Sequence, residues 1–580
     1  MGCSILGKGQ NMKSVLKKGI VLLLALIMVL SLMACGGKET GGDGTDSEKV
    51  DSNRTQLYVY NFAGGFGAEW LAAAKERFEE LHKDDVYEDG KKGVQIVINN
   101  SKTSADAMMN QIEYNKEEVY FTELAYYYSL KEAGVLGDIT EAVTKDLSVY
   151  GDTEGSTILS KMTDDQKAFY GVDENGETHY YGLPHYAGYT SLIYNVDLFE
   201  EEKYYFADGV TDAQQLEDYF IVRSDDKKSA GPDGEYGTSD DGLPTTFQEF
   251  FLLCDYIAER GQTPVTWRGN QYDDYLRKFL LSLEANIDGK EQMTLNYSMN
   301  GTATNLGTAN ANGFTPGSGS TAITAANGYE MYGQAGKYHA LDFLHTLTTT
   351  EKYHGELVFN SSYSHMNAQE DFLYAGHDNG ETDPIAMMVE GIWWENEAQT
   401  TFDAMADSMG EDYAKENRKF AMMPLPKLSA SDVGKNTLLD SLYSLCFMKS
   451  NIEEWKKPLA LEFITFVNSD ESLVEFTQMT NTPKALNYEM SDEEMSKMTH
   501  FGRSVMELKQ KSDIAYPFSA EAIYVNQSGQ FNADEVWKST VGGTVYSGPA
   551  TAFYEDNVSV ADYFTGMLKY NQDNWKQKVY

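Results

Sequence analysis

Apolar and polar positions alternate along Gln56-Leu57-Tyr58-Val59-Tyr60, the period of a strand. Phe62-Ala63-Gly64-Gly65-Phe66-Gly67 then turns the chain, and from Ala68 to Leu81 the apolar residues recur at helical spacing. Val94-Gln95-Ile96-Val97-Ile98 predicts a second strand, followed by a helix around Ala105 to Tyr114. Glu118-Val119-Tyr120-Phe121 predicts a third, leading into a helix that ends near Gly134. Strand and helix in alternation predict a parallel sheet covered on both faces, and such sheets bind ligands at the carboxyl ends of their strands. Phe62 to Phe66, and Thr122 with Glu123, are placed at that end.

A second α/β unit begins with Tyr181-Gly182-Leu183-Pro184 and the strand Ser191-Leu192-Ile193-Tyr194-Asn195. Pro244 to Phe250 opens a helix, with Thr246 as N-cap and Glu249 three residues on as the partner of a capping box. Residues 283 to 335 are polar and rich in Thr, Asn, Gly and Ala, so they are expected as loops with short strands. The helical pattern resumes from about Tyr338. Apolar strands are expected over Pro384 to Val389, Phe420 to Pro424 and Leu442 to Met448, with helices at about Leu459 to Val467, Glu471 to Met479 and near the terminus.

Ahead of all this lies a leader. Lys13, Lys17 and Lys18 precede an apolar run from Gly19 to Leu32, and Leu32-Met33-Ala34-Cys35-Gly36 closes it. Basic region, apolar core and small residues before a cut form a secretory signal. The run of ~14 residues falls short of the roughly 20 that span a bilayer. With cysteine at the cut, the pattern resembles the lipobox of bacterial lipoproteins. That resemblance implies a lipidated Cys35, held by acyl chains whose buried methylenes contribute about 0.8 kcal/mol each. Met12 is the more natural start, and Gly2-Cys3 lacks the Ser or Thr that myristoylation prefers. Gly36 to Asn53 is Gly-rich and acidic without apolar periodicity, and reads as a flexible tether.

Composition narrows the partners. Apolar residues at 42% and aromatics at 13% are globular proportions. The 46 basic and 89 acidic residues give a net charge of −43, and the leader holds four lysines and no acid, so the remainder is near −47. Such a surface repels nucleic acid and anionic lipid. Cys254 and Cys446 both lie in apolar runs and read as buried small hydrophobes; nothing in the sequence selects a disulfide between them. The nine histidines are scattered, with no metal-site spacing.

The order of segments then carries a resemblance. A lipobox is followed by strand-Gly-Gly-Phe-Gly-helix, Tyr181-Gly182-Leu183-Pro184, Leu192-Ile193-Tyr194-Asn195, Pro244-Thr245-Thr246-Phe247, Met387-Met388-Val389-Glu390-Gly391-Ile392-Trp393-Trp394, and Met423-Pro424-Leu425-Pro426. The chain from about residue 55 to 580 resembles the carbohydrate-binding, maltose-binding-protein-like family of extracellular solute-binding proteins. The resemblance implies a two-lobe periplasmic-binding-protein-like (type II) α/β fold, with a hinge and an interlobe ligand cleft. Lobe 1 would span 55–186 plus 442–500, and lobe 2 would span 187–441 plus 501–580. It also implies a monomer, anchored by lipid on the outer face of the cytoplasmic membrane of a Gram-positive bacterium. That body would capture a sugar or oligosaccharide and deliver it to the permease subunits of an ABC importer. No catalysis and no required cofactor are expected.

A sugar needs flat aromatics for its C–H faces and fixed polar groups for its hydroxyls. Trp393 and Trp394 follow an apolar strand directly, and Trp393 matches the family's stacking tryptophan by its spacing after Gly391. Both are candidates, one expected to face the core and the other the cleft. His185, Tyr186 and Tyr189, beside the hinge crossing, are further candidates. So are Phe62 and Phe66, which flank two glycines, and Glu123, close to the family's hydroxyl-binding acidic position. Trp267 in Thr266-Trp267-Arg268 completes the set. Ala63 and Gly64 replace the family's acidic residues on the first loop, which leaves the identity of the sugar open.

A second site is expected in Asp225-Asp226 and Gly231 to Gly242. Calcium takes six to eight oxygens, and short acidic Gly-rich loops supply them. The spacing is not that of an EF-hand, and it resembles calcium-stapled loops in some large members of the family. Asp233, Asp240 and Asp241 would be side-chain ligands, Glu235 or Tyr236 would offer a carbonyl, and Asp226 would close the site. The alternative functions on this scaffold are a binding protein for peptide or another solute, and a cell-surface glycoside hydrolase. The chain has no Gly-x-Ser-x-Gly, no His/Cys metal cluster and no phosphate-cradling loop.

Overall fold

The alternation at Gln56 to Tyr60 becomes the first of eight strands that build two four-stranded sheets. They are β1 (Thr55–Phe62), β2 (Val94–Ser101), β3 (Val119–Thr122), β4 (Thr190–Asn195), β5 (Thr263–Thr266), β6 (Ile385–Gly391), β7 (Phe420–Met423) and β8 (Leu445–Met448). The computed structural model describes residues 49–123, 126–210, 213–223, 226–269, 274–377, 382–442, 444–517 and 536–579. The leader, Cys35 and the tether up to residue 48 lie outside the described residues, as does Asp225. Val50 to Tyr580 forms one compact unit.

The first sheet runs β8-β3-β1-β2. β1 pairs in parallel with β2, Thr55 opposite Val94 and Phe62 opposite Ser101, and in parallel with β3, Val59 opposite Val119. The parallel trio is as the alternation predicts. β8 adds an antiparallel edge, Leu445 opposite Thr122, brought from more than 300 residues away. The Glu69–Leu81 helix buries Trp70, Leu71, Ala74 and Phe78. Phe78 meets Phe463 of the Lys457–Phe466 helix at 5.0 Å between ring centres, and Trp70 meets Phe476 of the Asp470–Thr480 helix at 5.3 Å. Aromatic edges and faces thus hold the covering layer to this sheet.

The second sheet runs β7-β4-β6-β5, with β4 antiparallel to both neighbours and β6 parallel to β5. Every residue of β4, β6 and β7 is buried, which matches the unbroken apolar runs that mark them in the sequence. The Phe247–Glu259 helix starts as expected at Thr246, whose side chain accepts from the Glu249 N–H. Glu249 reaches one residue further back than a capping box requires, taking the Thr245 N–H at 2.6 Å and its hydroxyl at 2.5 Å.

Residues 283 to 298 correct the reading of that stretch as loop. They belong to a helix over Asp274–Ser298, broken at Gly289, where φ is 76°. Leu276, Phe279, Leu280 and Leu283 are all buried, at the i, i+3, i+4, i+7 spacing of a core-facing stripe. The short strands do follow, as hairpin pieces at Gly301–Ala303, Gly307–Asn310, Gly313–Pro316 and Thr321–Ile323.

Between the two sheets the chain crosses on adjacent tracks. Leu183 and Cys446 exchange both backbone hydrogen bonds, at 3.0 and 2.8 Å. The Ser441 N–H donates to Gly188 O at 2.9 Å, and the Gly188 N–H to Asp440 Oδ1 at 3.0 Å. The Ser444 hydroxyl donates to Tyr186 O at 2.8 Å. A methyl on Gly188 would stand 2.1 Å from Leu442 Cγ, so only glycine lets the two segments lie this close. A third segment joins them: Tyr186 bridges to Lys484, and the Ala187 N–H donates to Pro483 O at 3.1 Å.

Candidate functional site

The carboxyl ends of β1, β3 and β6 carry the candidate residues. After β1, the turn brings Gly64 against the Phe62 ring, where a Cβ would lie 2.5 Å from the ring and 3.5 Å from Glu123 Oε1. At Gly65 a Cβ would lie 2.6 Å from Trp393 Cβ. The loop of the first sheet therefore touches the tryptophan of the second, an approach that a side chain at 65 would block. Trp393 folds its indole back over Gly391, where an added Cβ would sit 2.2 Å from the ring. Phe66 packs on Tyr186 with ring centres 4.0 Å apart, and the Tyr186 hydroxyl donates to Glu123. Phe62, Phe66, Glu123, Tyr186 and Trp393 are thus brought together from both sheets.

Carboxylates gather around the same place. Glu390, inside β6, is 2% exposed and accepts from the Gly391 N–H at 2.8 Å. Gln369 donates to both Glu390 and Glu397, at 3.3 and 3.0 Å. Burial raises the carboxyl of Glu123, against the Tyr186 hydroxyl and the charge of Lys278. Burial also pushes Glu397 up to about 7; the charge of Glu123 adds to this, while Gln369, Lys102 and Arg268 oppose it. The Lys278 amine lies 6.0 Å from the centre of the Trp393 ring. Hydroxyl acceptors, cationic donors and a flat ring are the groups that a polyhydroxylated ligand engages. Sequence reasoning missed Gln369, Glu390, Glu397 and Lys278. Glu390 stood inside the quoted motif, but its apolar neighbours gave no sign that the site extended into the strand.

Four expected residues lie elsewhere. Trp394 is fully buried among Phe372, Phe402, Phe420 and Phe501, with ring centres 5.1 to 5.9 Å away. Trp267 is 1% exposed and meets His354 and Phe359 edge-on. Both are core residues rather than cleft residues, because each follows its strand on the side facing the covering helices and loops. Tyr189 is buried, its carbonyl taking the Ile392 N–H at 3.1 Å, and burial drives its hydroxyl well above the ordinary range. His185 is buried beside Trp70, Phe121 and Phe476, with the Lys484 amine 2.8 Å from its Nδ1.

The acidic loop folds on itself. Asp240 accepts from the Asp233 N–H at 3.0 Å and from the Thr238 hydroxyl at 2.6 Å. Asp241 takes the Gly237 N–H at 2.8 Å, and Asp233 takes the Lys511 amine at 2.9 Å. The Glu235 N–H donates to the Asp233 carboxylate at 2.8 Å, and the Tyr236 hydroxyl donates to Asp208. Asp226 stands apart, accepting from the Val222 and Arg223 N–H groups. Behind the loop is a cavity of about 110 Å³ lined in part by Asp233, Asp240, Asn436, Glu507 and Lys511. Asn436 Oδ1 is buried there without a hydrogen-bond partner among the described residues. Among the described residues no group of three or more His, Cys, Asp or Glu gathers as a metal centre. Cys254 and Cys446 are free, buried thiols.

No protein-family model matches the sequence, and no curated protein does. Among solved structures, a chitin oligosaccharide binding protein is similar with a TM-score of 0.51 and 14% identity, over 90% of this chain and 100% of that one. The cyclic alpha-maltosyl-1,6-maltose binding protein from Arthrobacter globiformis has a TM-score of 0.49 and 13% identity, over the same shares. At such identities likeness speaks for architecture. With its two mixed sheets and paired crossings, the chain has the two-lobe α/β fold of the periplasmic-binding-protein kind.

Proposed function

We propose that this chain is an extracellular substrate-binding protein that captures a sugar or oligosaccharide by closing its two lobes, without catalysis. The observation that carries this reading is the meeting of Trp393 from the second sheet with the Gly64-Gly65 loop, Glu123 and Tyr186 at the carboxyl ends of the strands. A stacking ring with carboxylate acceptors beside it suits the C–H face and hydroxyl edge of a pyranose. The chitin oligosaccharide binding protein that shares the fold takes a ligand of this class. Fold alone would serve a peptide equally well, so the reading rests on the ring and carboxylates gathered there.

The leader completes the proposal. Cys35 would be lipidated, and residues 36–54 would tether a monomeric body to the outer face of the cytoplasmic membrane. There it would hand its ligand to an ABC importer. Calcium in the 231–242 loop belongs to the same proposal as a structural ion, with Asp233, Asp240 and Asp241 as carboxylates. The orphaned Asn436 Oδ1 beside that cavity fits an oxygen-rich shell.

A thermal-shift screen of oligosaccharides and peptides, with reducing-end assay of each hit, tests the function. Stabilisation by oligosaccharides without product release is expected. Stabilisation by peptides alone, or release of reducing ends, would replace the reading with one of its rivals.

A further inference from the structure

Three carboxylates gather near Trp393 without a close lysine or arginine. Glu123 follows β3 of the first sheet, and Glu390 lies in β6 of the second. Glu397 stands one turn past Trp393, its N–H donating to Trp393 O at 3.2 Å. Among the described residues no lysine or arginine pairs with any of the three, and the ion contact they have is His365 Nε2, 3.9 Å from Glu397 Oε2. Lys278 acts on Glu123 and Glu390, and Lys102 and Arg268 act on Glu397, only from farther away.

Their hydrogen bonds are incomplete as well. Glu390 uses one oxygen for the Gly391 N–H and the other for the Gln369 amide. The same Gln369 nitrogen serves Glu397 Oε2, and Glu123 Oε2 takes the Tyr186 hydroxyl. Among the described residues no donor reaches Glu123 Oε1 or Glu397 Oε1. Gln369 is fully enclosed, its nitrogen divided between two acids and its Oε1 buried without a partner among the described residues. Buried acceptors left open and buried charge left unpaired are both costly, so the cluster is short of donors and of positive charge. Glu123 and Glu397 are half-buried, which keeps it within reach of solvent.

We propose that the sugar taken here carries a free amine, whose ammonium is received by Glu123, Glu390 and Glu397 while its ring stacks on Trp393. This deepens the sugar-binding reading above and rests on it. A hydroxyl brings one donor and no charge, whereas an ammonium brings three donors and the missing charge. Hydrogen bonds between charged partners are also roughly twice as strong as neutral ones. Burial raises all three carboxyls, Glu397 to about 7, with Glu123 adding to the rise at Glu397 and Glu397 to that at Glu390. A cation set among them opposes that rise. An N-acetylated sugar offers one amide donor and no charge at the same position, and so forgoes the advantage.

The test compares oligomers of glucosamine, N-acetylglucosamine and glucose, equal in length and linkage, by calorimetry on the full chain at neutral pH. Salt at about 0.5 M screens the general attraction of an acidic surface for cations. The glucosamine oligomer is expected to bind at least tenfold tighter than either neutral one, and that ratio to fall below threefold when Glu390→Gln and Glu397→Gln are combined. Equal binding of the three, or a ratio that survives in the variant, would overturn the amine. Glu397→Gln alone, at a half-buried residue, repeats the comparison if the double variant fails to fold, and at least a threefold fall in the ratio is expected. Binding of neutral oligosaccharides with no preference for the amine ends this inference and leaves the sugar reading standing; binding of no oligosaccharide ends both.

Discussion

The Tyr186 hydroxyl donates to the Glu123 carboxylate, tying the first crossing segment to the loop that follows β3. Glu123 is a half-buried acid, and this donor opposes the effect of burial on it. Tyr186→Phe removes the donor while keeping the ring that packs on Phe66. A hydrogen bond to a charged group contributes about 1.5–3 kcal/mol. Calorimetry is expected to show sugar binding weakened by that order with the fold intact; unchanged affinity would take the pair out of the site.

Adjacent tryptophans should separate cleanly. Trp394→Ala empties a fully buried site among four phenylalanines and is expected to cost about 3–5 kcal/mol of stability. Trp393→Ala is expected to weaken the sugar by about 1–3 kcal/mol with a smaller loss of melting temperature. Melting curves and titrations of the two variants check this; a binding loss confined to Trp394→Ala would reverse the assignment.

Much of this was legible and some was not. The strands β1 to β3 and the helix between them stood out because alternation gave way to a 3.6-residue period at a glycine turn. Residues 283 to 298 read as loop because that half of the helix is mostly polar, and Leu276, Phe279 and Leu280, which carry most of the helical stripe, lie ahead of it. Which of two neighbouring tryptophans faces inward depends on packing partners from four separate places in the chain, Phe372, Phe402, Phe420 and Phe501, and no local pattern encodes that. The enclosure of Lys484 by Trp70, Phe121 and Phe476 was equally silent, since these rings come from three separate stretches of chain.

Glu395 gives a pH prediction. It is 1% exposed, its Oε2 takes the Thr499 hydroxyl at 2.7 Å, Oε1 has no partner among the described residues, and burial pushes the carboxyl up to about 7. The folded chain keeps a proton that the unfolded chain releases near 4.5. Stability contributed by this group is therefore present at low pH and lost as pH rises from about 4.5 to 7, by at most about 1.4 kcal/mol per unit. Glu395→Gln keeps an acceptor for Thr499 and removes the titration. Urea melts at pH 5 and pH 8 are expected to show the variant gaining on the parent at the higher pH; a constant difference would mean Glu395 is charged when buried.

Calcium at the acidic loop would displace the Lys511 amine from Asp233. Millimolar calcium is expected to raise the melting temperature, chelator to lower it, and Asp240→Asn to abolish both responses. A melting temperature indifferent to calcium and chelator would leave the loop held by its own hydrogen bonds and by Lys511.

The space opposite Gly188 has room for a hydrogen and nothing larger, because Leu442 fills it. Two segments locked at that distance, with hydrogen bonds on either side, behave as one ribbon. A ribbon bends easily across its width but resists the sliding of one edge past the other. If the lobes close as proposed, such a ribbon leaves them one easy motion, a rocking about one axis, and a methyl group at this position would be felt as a change in how far the jaws swing rather than in what they grip.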